Sequence, residues 1–152
     1  MRKGKDFSSL VALGTKGGLI KLVDLRRNRV VSRISVAETE ERKGRDASAR
    51  ESHEYSTVYS LDWNSDGFLA IASTEDLIYI KDFDGEAMTF VEDTSLTVNS
   101  PSRCVSWSPL NQKLLATGLF NGNIVIFDMA SAEVKHILRA SSAEEDFRVM
   151  HI

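Results

Sequence analysis

The sequence predicts an all-β chain assembled from repeated units of short antiparallel strands. Two observations lead to this fold class. Three stretches, residues 11–24, 69–82 and 115–128, align with one another without gaps. Each alternates apolar and other residues with period two on either side of a turn, as half-buried strands do. Each also ends in aspartate, and because such self-similarity is typical of repeat architectures, it constrains the whole fold.

Each aligned stretch is predicted to form a strand, a tight turn and a second strand. The three turns are Lys16-Gly17-Gly18, Thr74-Glu75-Asp76 and Phe120-Asn121-Gly122. Gly-Gly and Asn-Gly supply the positive φ that a two-residue hairpin loop needs, so we expect two-residue loops here. Small residues at matching positions, namely Ala12, Ala70 and Ala116, predict close approach between neighbouring sheets.

Further strands flank these hairpins. Val58 to Trp63 and Arg103 to Trp107 precede the second and third stretches, and residues 30–34, 87–91 and 134–138 follow the three stretches. The complete unit is therefore four short antiparallel strands, which is the architecture of a β-propeller blade. The sequence predicts a partial propeller.

The predicted organisation has a tail, three repeats and one insertion. Residues 1–8 form the tail, and residues 9–152 hold about three repeats: 9–34 (partial), 56–92, 101–139, and the start of a further strand at 147–152. The closing aspartates Asp24 and Asp82 lie 58 residues apart, whereas a blade repeat has about 40–45 residues. We assign the surplus to residues 38–55, whose polar composition is typical of a solvated loop or a docking insertion.

The third repeat resembles the signature of the WD-repeat family. It has Trp107-Ser-Pro, then Leu115-Ala-Thr-Gly, then Asn121-Gly-Asn-Ile-Val-Ile-Phe-Asp128. Residues 58–82 are nearly as similar, and residues 11–24 resemble the second half of the signature only. The resemblance implies a scaffold that binds other proteins. A small β-sandwich with unrelated hairpins is the alternative fold.

The repeats depart from the family pattern at their polar positions. Val23, Lys81 and Phe127 stand where the family often has Trp, and His53 is about one residue out of register with its Gly-His pair. We therefore expect the family's His-Ser-Asp-Trp hydrogen-bond network to be absent and apolar packing to hold the repeats together.

Three blades are too few to close a ring, since propellers have about four to eight. Three alternatives remain open: the sequence is a piece of a longer protein, it pairs with a second copy into a six-bladed ring, or it completes another protein's open propeller.

Composition argues against several classes of function. The net charge of −3 and the lack of a long apolar run make nucleic acid and membrane unexpected partners. Cys104 is the only cysteine, which favours an intracellular location in cytoplasm or nucleus. The histidines lack metal-ligand spacing, and Asp82 and Asp84 fit a turn better than acid–base chemistry. With no catalytic or phosphate-binding motif, we expect neither enzyme activity nor a cofactor.

The candidate partner-binding residues lie at turn tips and at the start of a blade's first strand: Lys16, Thr74, Arg103 and Phe120. Phe120 has two interpretations, an exposed hot spot or packing against the neighbouring blade. The alternative function is a phosphoinositide- or nucleic-acid-binding propeller, which would use the basic residues Arg26, Arg27 and Arg29. Trp63, Trp107 and Cys104 are predicted to be core residues.

Overall fold

The computed structural model describes residues 9–36 and 56–139, and the elements in this part of the chain are all β-strands. They form three antiparallel sheets in which consecutive strands pair, so the predicted all-β partial propeller is confirmed. The predicted tail, insertion and terminal strand (1–8, 38–55 and 147–152) lie outside the described residues. Blade 1 has β1 (Leu10–Gly14), β2 (Leu19–Asp24) and β3 (Arg29–Ser35); blade 2 has β4 (Val58–Trp63), β5 (Phe68–Ser73), β6 (Leu77–Asp84) and β7 (Thr89–Thr97); blade 3 has β8 (Ser102–Trp107), β9 (Leu114–Leu119), β10 (Ile124–Asp128) and β11 (Glu133–Leu138).

The loops β1–β2 of blade 1 and β9–β10 of blade 3 are longer than the two residues that the sequence predicts. In blade 1 the Thr15 N–H donates to the Leu19 carbonyl at 3.0 Å, and the Gly18 N–H donates to the Thr15 carbonyl at 3.2 Å. The loop therefore has three residues and ends on Gly18, with φ of 72°. Gly122 closes the blade 3 loop in the same way, with φ of 80°. Glycine supplies the positive φ as predicted, but the two-residue length is wrong, because a three-residue loop places its left-handed residue after the turn.

The outer hairpin of blade 2 has eight residue pairs, two more than that of blade 1 and three more than that of blade 3. Its strand β7 runs over Thr89–Thr97, whereas the sequence predicts a strand at 87–91. Asp82 does pair with Phe68 in the register that the alignment predicts. The carboxylate that holds the following turn, however, belongs to Asp84, which accepts hydrogen bonds from the N–H groups of Glu86 and Ala87 at 2.8 and 3.3 Å. In the other two blades the aligned aspartate itself has this role.

Blade 2 lies between the other two blades and is buried on both faces. Its strand β5 shows the alternation: Leu69 and Ile71 face blade 1, whereas Ala70 and Ala72 face blade 3. These two alanines allow close packing against larger apolar side chains of blade 3, which include Trp107. The two apolar cores are thus the two spaces between blades, as propeller packing requires.

Polar contacts connect the first strands of blades 2 and 3. One carboxylate oxygen of Asp62 accepts a hydrogen bond from the backbone N–H of Trp107 at 2.6 Å, and the Asp62 carbonyl accepts one from the indole N–H at 3.2 Å. The Ser60 hydroxyl accepts one from the Val105 N–H at 3.3 Å. These hydrogen bonds add to the apolar packing between blades 2 and 3.

Candidate functional site

All four candidate residues lie at one end of the blades. In an antiparallel blade, the turn between the second and third strands is at the end where the first strand begins. The loops Lys16–Gly18, Thr74–Asp76 and Phe120–Gly122 therefore share one end with the starts of β4 and β8. We call this end the turn face. It carries Lys16, Thr74, Arg103 and Phe120.

Two of the candidates meet directly, together with a residue that the sequence analysis did not select. The Arg103 guanidinium carbon lies 4.4 Å from the centre of the Phe120 ring and 5.0 Å from the centre of the Tyr59 ring. The two ring centres are 5.6 Å apart, with the rings tilted by 58°. Tyr59, Arg103 and Phe120 thus form a triangle, the Arg103 cluster, across the boundary between blades 2 and 3.

The cluster combines exposed rings with a partly satisfied cation. Tyr59 is 38% exposed, while Arg103 and Phe120 are half-buried. The Arg103 Nε–H is buried and has no hydrogen-bond partner among the described residues. Both interpretations of Phe120 hold in part, because its ring contacts Tyr59 of the neighbouring blade while the residue is only partly buried. Both rings lie within the distance of about 6 Å at which a cation is attracted to an aromatic ring.

The other two candidates belong to a second group, centred on Thr57. The Thr57 hydroxyl donates to the Lys16 carbonyl at 3.1 Å, and its backbone N–H donates to the Thr74 hydroxyl at 3.1 Å. Beside them, the Ser56 hydroxyl donates to a carboxylate oxygen of Glu75. This short network connects the turns of blades 1 and 2.

Sequence reasoning missed Tyr59 and Thr57 for an identifiable reason. Both precede the aligned repeats, where only the strand Val58 to Trp63 was recognised and no side chain was assigned an outward direction. The signal was available, since Tyr59 alternates with Val58 and Ser60 and is the exposed member of this start of β4.

The basic residues of the alternative function lie at the opposite end of blade 1, in the turn between β2 and β3. Arg26 and Arg27 donate their backbone N–H groups to Asp24, and Arg27 Nε lies 3.6 Å from the second carboxylate oxygen. Arg29 begins β3 and is exposed. The Asp24 carboxylate offsets part of the positive charge here.

Cys104 is buried in β8, and its environment does not suit nucleophilic chemistry. Burial raises the pKa of its thiol, while a hydrogen bond from the Gly118 backbone acts in the lowering direction. The thiol therefore stays protonated at neutral pH. Within residues 9–36 and 56–139, no three acidic, histidine or cysteine side chains are placed to hold a metal ion. The same residues include no helix of the length and apolar character that crossing a membrane requires.

Comparison with known proteins supports the fold class. No protein-family model matches the chain, and no curated protein sequence matches it significantly. Solved structures do match, 945 chains in all, so the fold is a common one. One is the crystal structure of Saccharomyces cerevisiae Sqt1, a WD-repeat protein, with a TM-score of 0.65 and 16% identity. The match covers 94% of this chain and 32% of Sqt1, so the chain spans about a third of that protein's length. At 16% identity this likeness shows the fold alone, a partial propeller similar to part of a WD-repeat protein.

Proposed function

We propose that this chain is a non-catalytic protein-interaction scaffold whose partner binds the turn face. The observation that carries the proposal is the Arg103 cluster. Tyrosine and arginine are enriched among the residues that dominate binding energy, and aromatic side chains and arginine are enriched across interfaces generally. Here they form one group at the boundary between two blades, on a rigid sheet framework, which limits the entropy lost on binding.

The test compares the two ends of the blades. Phe120→Ala is expected to reduce capture of a cross-linked partner at least about tenfold, the effect of losing one hot spot, while the far-UV circular dichroism spectrum stays unchanged. Leu110→Ala is the matched control, because Leu110 is 97% exposed in the β8–β9 turn at the opposite end. If only Leu110→Ala reduces capture, the partner binds the opposite end. Loss of folding in Phe120→Ala would refute its assignment to the site.

We further propose that additional blades cover blades 1 and 3. Apolar side chains on both outer sheets are exposed: Val11, Leu13 and Val30 in blade 1, and Val134, Ile137 and Leu138 in blade 3. Exposed strand edges and apolar faces of this kind promote association. Light scattering after gel filtration distinguishes the sources. A folded dimer supports a second copy, aggregation supports blades from a longer chain or another protein, and a stable folded monomer contradicts the proposal.

The alternative, binding of phosphoinositide or nucleic acid through Arg26, Arg27 and Arg29, predicts affinity that falls steeply with salt. Binding to anionic vesicles or to DNA that disappears in Arg26→Ala would favour it. We place the scaffold inside the cell, because the lone Cys104 is a buried free thiol and suits a reducing compartment.

A further inference from the structure

We propose that the Arg103 cluster recognises a carboxylate side chain, Asp or Glu, on a peptide segment of the partner protein. This inference rests on the proposed function, since it specifies the chemistry that the turn face binds. It concerns three side chains only, Tyr59, Arg103 and Phe120.

The guanidinium of Arg103 contacts two rings and has no anion among the described residues. Its carbon lies 4.4 and 5.0 Å from the ring centres, so the group has aromatic neighbours on the side of the protein. Among residues 9–36 and 56–139, no carboxylate forms an ion pair with it, and its Nε–H has no acceptor. A guanidinium presents a planar fork of donors that matches the two oxygens of a carboxylate.

The aromatic rings provide the second part of the recognition. Tyr59 and Phe120 offer adjacent apolar surface beside the cation. A partner residue that follows or precedes the acidic one can cover these rings and exclude water from the ion pair, which strengthens it. The expected ligand is therefore an acidic residue flanked by an apolar one.

A carboxylate fits the site better than a phosphate. Phosphate recognition generally uses several arginines together, whereas the Arg103 cluster contains a single arginine. The turn face also carries Glu75 and Asp76 in the adjacent loop of blade 2, and their charges oppose a dianion more than a monoanion.

The experiment selects the ligand from a randomised peptide display library panned against the full chain. Peptides enriched on the wild-type chain are synthesised with Glu, Gln or phosphoserine at the acidic position. Their affinities are measured by fluorescence polarisation for the wild-type chain, Arg103→Gln and Arg103→Lys. We expect enriched peptides to contain Asp or Glu, and Glu→Gln in the peptide to weaken binding about tenfold, as for a hydrogen bond between charged groups.

In Arg103→Gln the Glu and Gln peptides are expected to bind equally, because the double-mutant cycle removes the interaction from both sides. Arg103→Lys retains the charge but loses the planar fork of donors. Its affinity for the Glu peptide is therefore expected to lie between those of the wild-type chain and Arg103→Gln. This readout separates recognition from a merely structural role for Arg103, which would weaken both peptides alike.

Other outcomes overturn the inference in distinguishable ways. If phosphoserine binds about tenfold more tightly than Glu, the site recognises phosphate. If the enriched peptides lack an acidic residue but lose binding in Phe120→Ala, the proposed function stands and the carboxylate inference fails. If no enriched peptide depends on either Arg103 or Phe120, both fail.

Discussion

Replacing Gly18 by alanine should destabilise the contact between blades 1 and 2. Gly18 has φ of 72°, a left-handed conformation that costs an L-residue about 1–2 kcal/mol. An added Cβ would lie 2.6 Å from the backbone carbonyl oxygen of Ser56, well inside van der Waals contact. Relieving this overlap requires the backbones of two blades to separate, and such overpacking costs about 1–3 kcal/mol. The expected loss is about 3 kcal/mol in the free energy of unfolding, by these two contributions together.

Gly17 is the matched control because it precedes Gly18 in the same loop. The nearest atom to a Cβ added there is the Thr15 hydroxyl oxygen at 4.0 Å, and its φ is not among the positive values. Gly17→Ala should therefore be neutral or stabilise by about 0.4–1 kcal/mol through the unfolded state. Thermal unfolding followed by circular dichroism should show Gly18→Ala melting roughly 6–12 °C below the wild-type chain, at 2–4 °C per kcal/mol.

The difference in melting temperature between the two glycine variants tests the close approach of Gly18 to Ser56. If Gly18→Ala and Gly17→Ala melt within about 1 °C of each other, a difference below 0.5 kcal/mol, then the close approach of Gly18 to Ser56 does not exist in solution.

Three further perturbations test other contacts. Asp62→Ala leaves the Trp107 N–H without its acceptor and should cost about 1–3 kcal/mol in urea unfolding, while Asp62→Asn, which keeps an acceptor oxygen, should cost less; equal losses would contradict the assigned hydrogen bond. Thr117→Val removes a buried hydroxyl that donates to the Cys104 carbonyl and should cost about 1–3 kcal/mol, so an unchanged midpoint would argue against it. Because burial raises the pKa of the Cys104 thiol in the folded state, the unfolded thiol ionises first, and stability should fall as the pH rises past about 8.5. Cys104→Ala should remove this dependence of stability on pH. If the dependence persists in that variant, another group causes it.

The sequence was sufficient for the strands and their register, because period-two patterning and repeat alignment both report which residues share a sheet face. The pairing of Asp82 with Phe68 follows from the same alignment that pairs Asp24 with Leu10. Pattern alone could not show that the outer hairpin of blade 2 extends to Asp84. Both Asp82 and Asp84 are compatible with a turn, and the choice depends on where a bulge interrupts the pairing.

The candidate site was predictable only in outline. Lys16, Thr74, Arg103 and Phe120 were placed by repeat position, which indicates the end of a blade at which a residue lies but not which side chains meet. The meeting of Arg103 with Tyr59 spans two blades and 44 positions of sequence, so it depends on how the sheets pack rather than on any local pattern. Burial of Trp107, by contrast, follows directly from its place in the repeat.

The contacts between blades 1 and 2 differ in kind from those between blades 2 and 3. This difference implies an order in which the blades unfold. Asp62 and Ser60 of β4 accept hydrogen bonds from the neighbouring first strand of blade 3. The described residues of blade 1 form three strands, and the loop that holds Thr15 and Lys16 makes polar contacts with blade 2. Amide protons of β1, β2 and β3 should therefore exchange with solvent before those of blades 2 and 3, as the first cooperative unit to open. A partner that spans the Thr57 group would slow that exchange as it binds, so protection of blade 1 would report occupancy of the turn face.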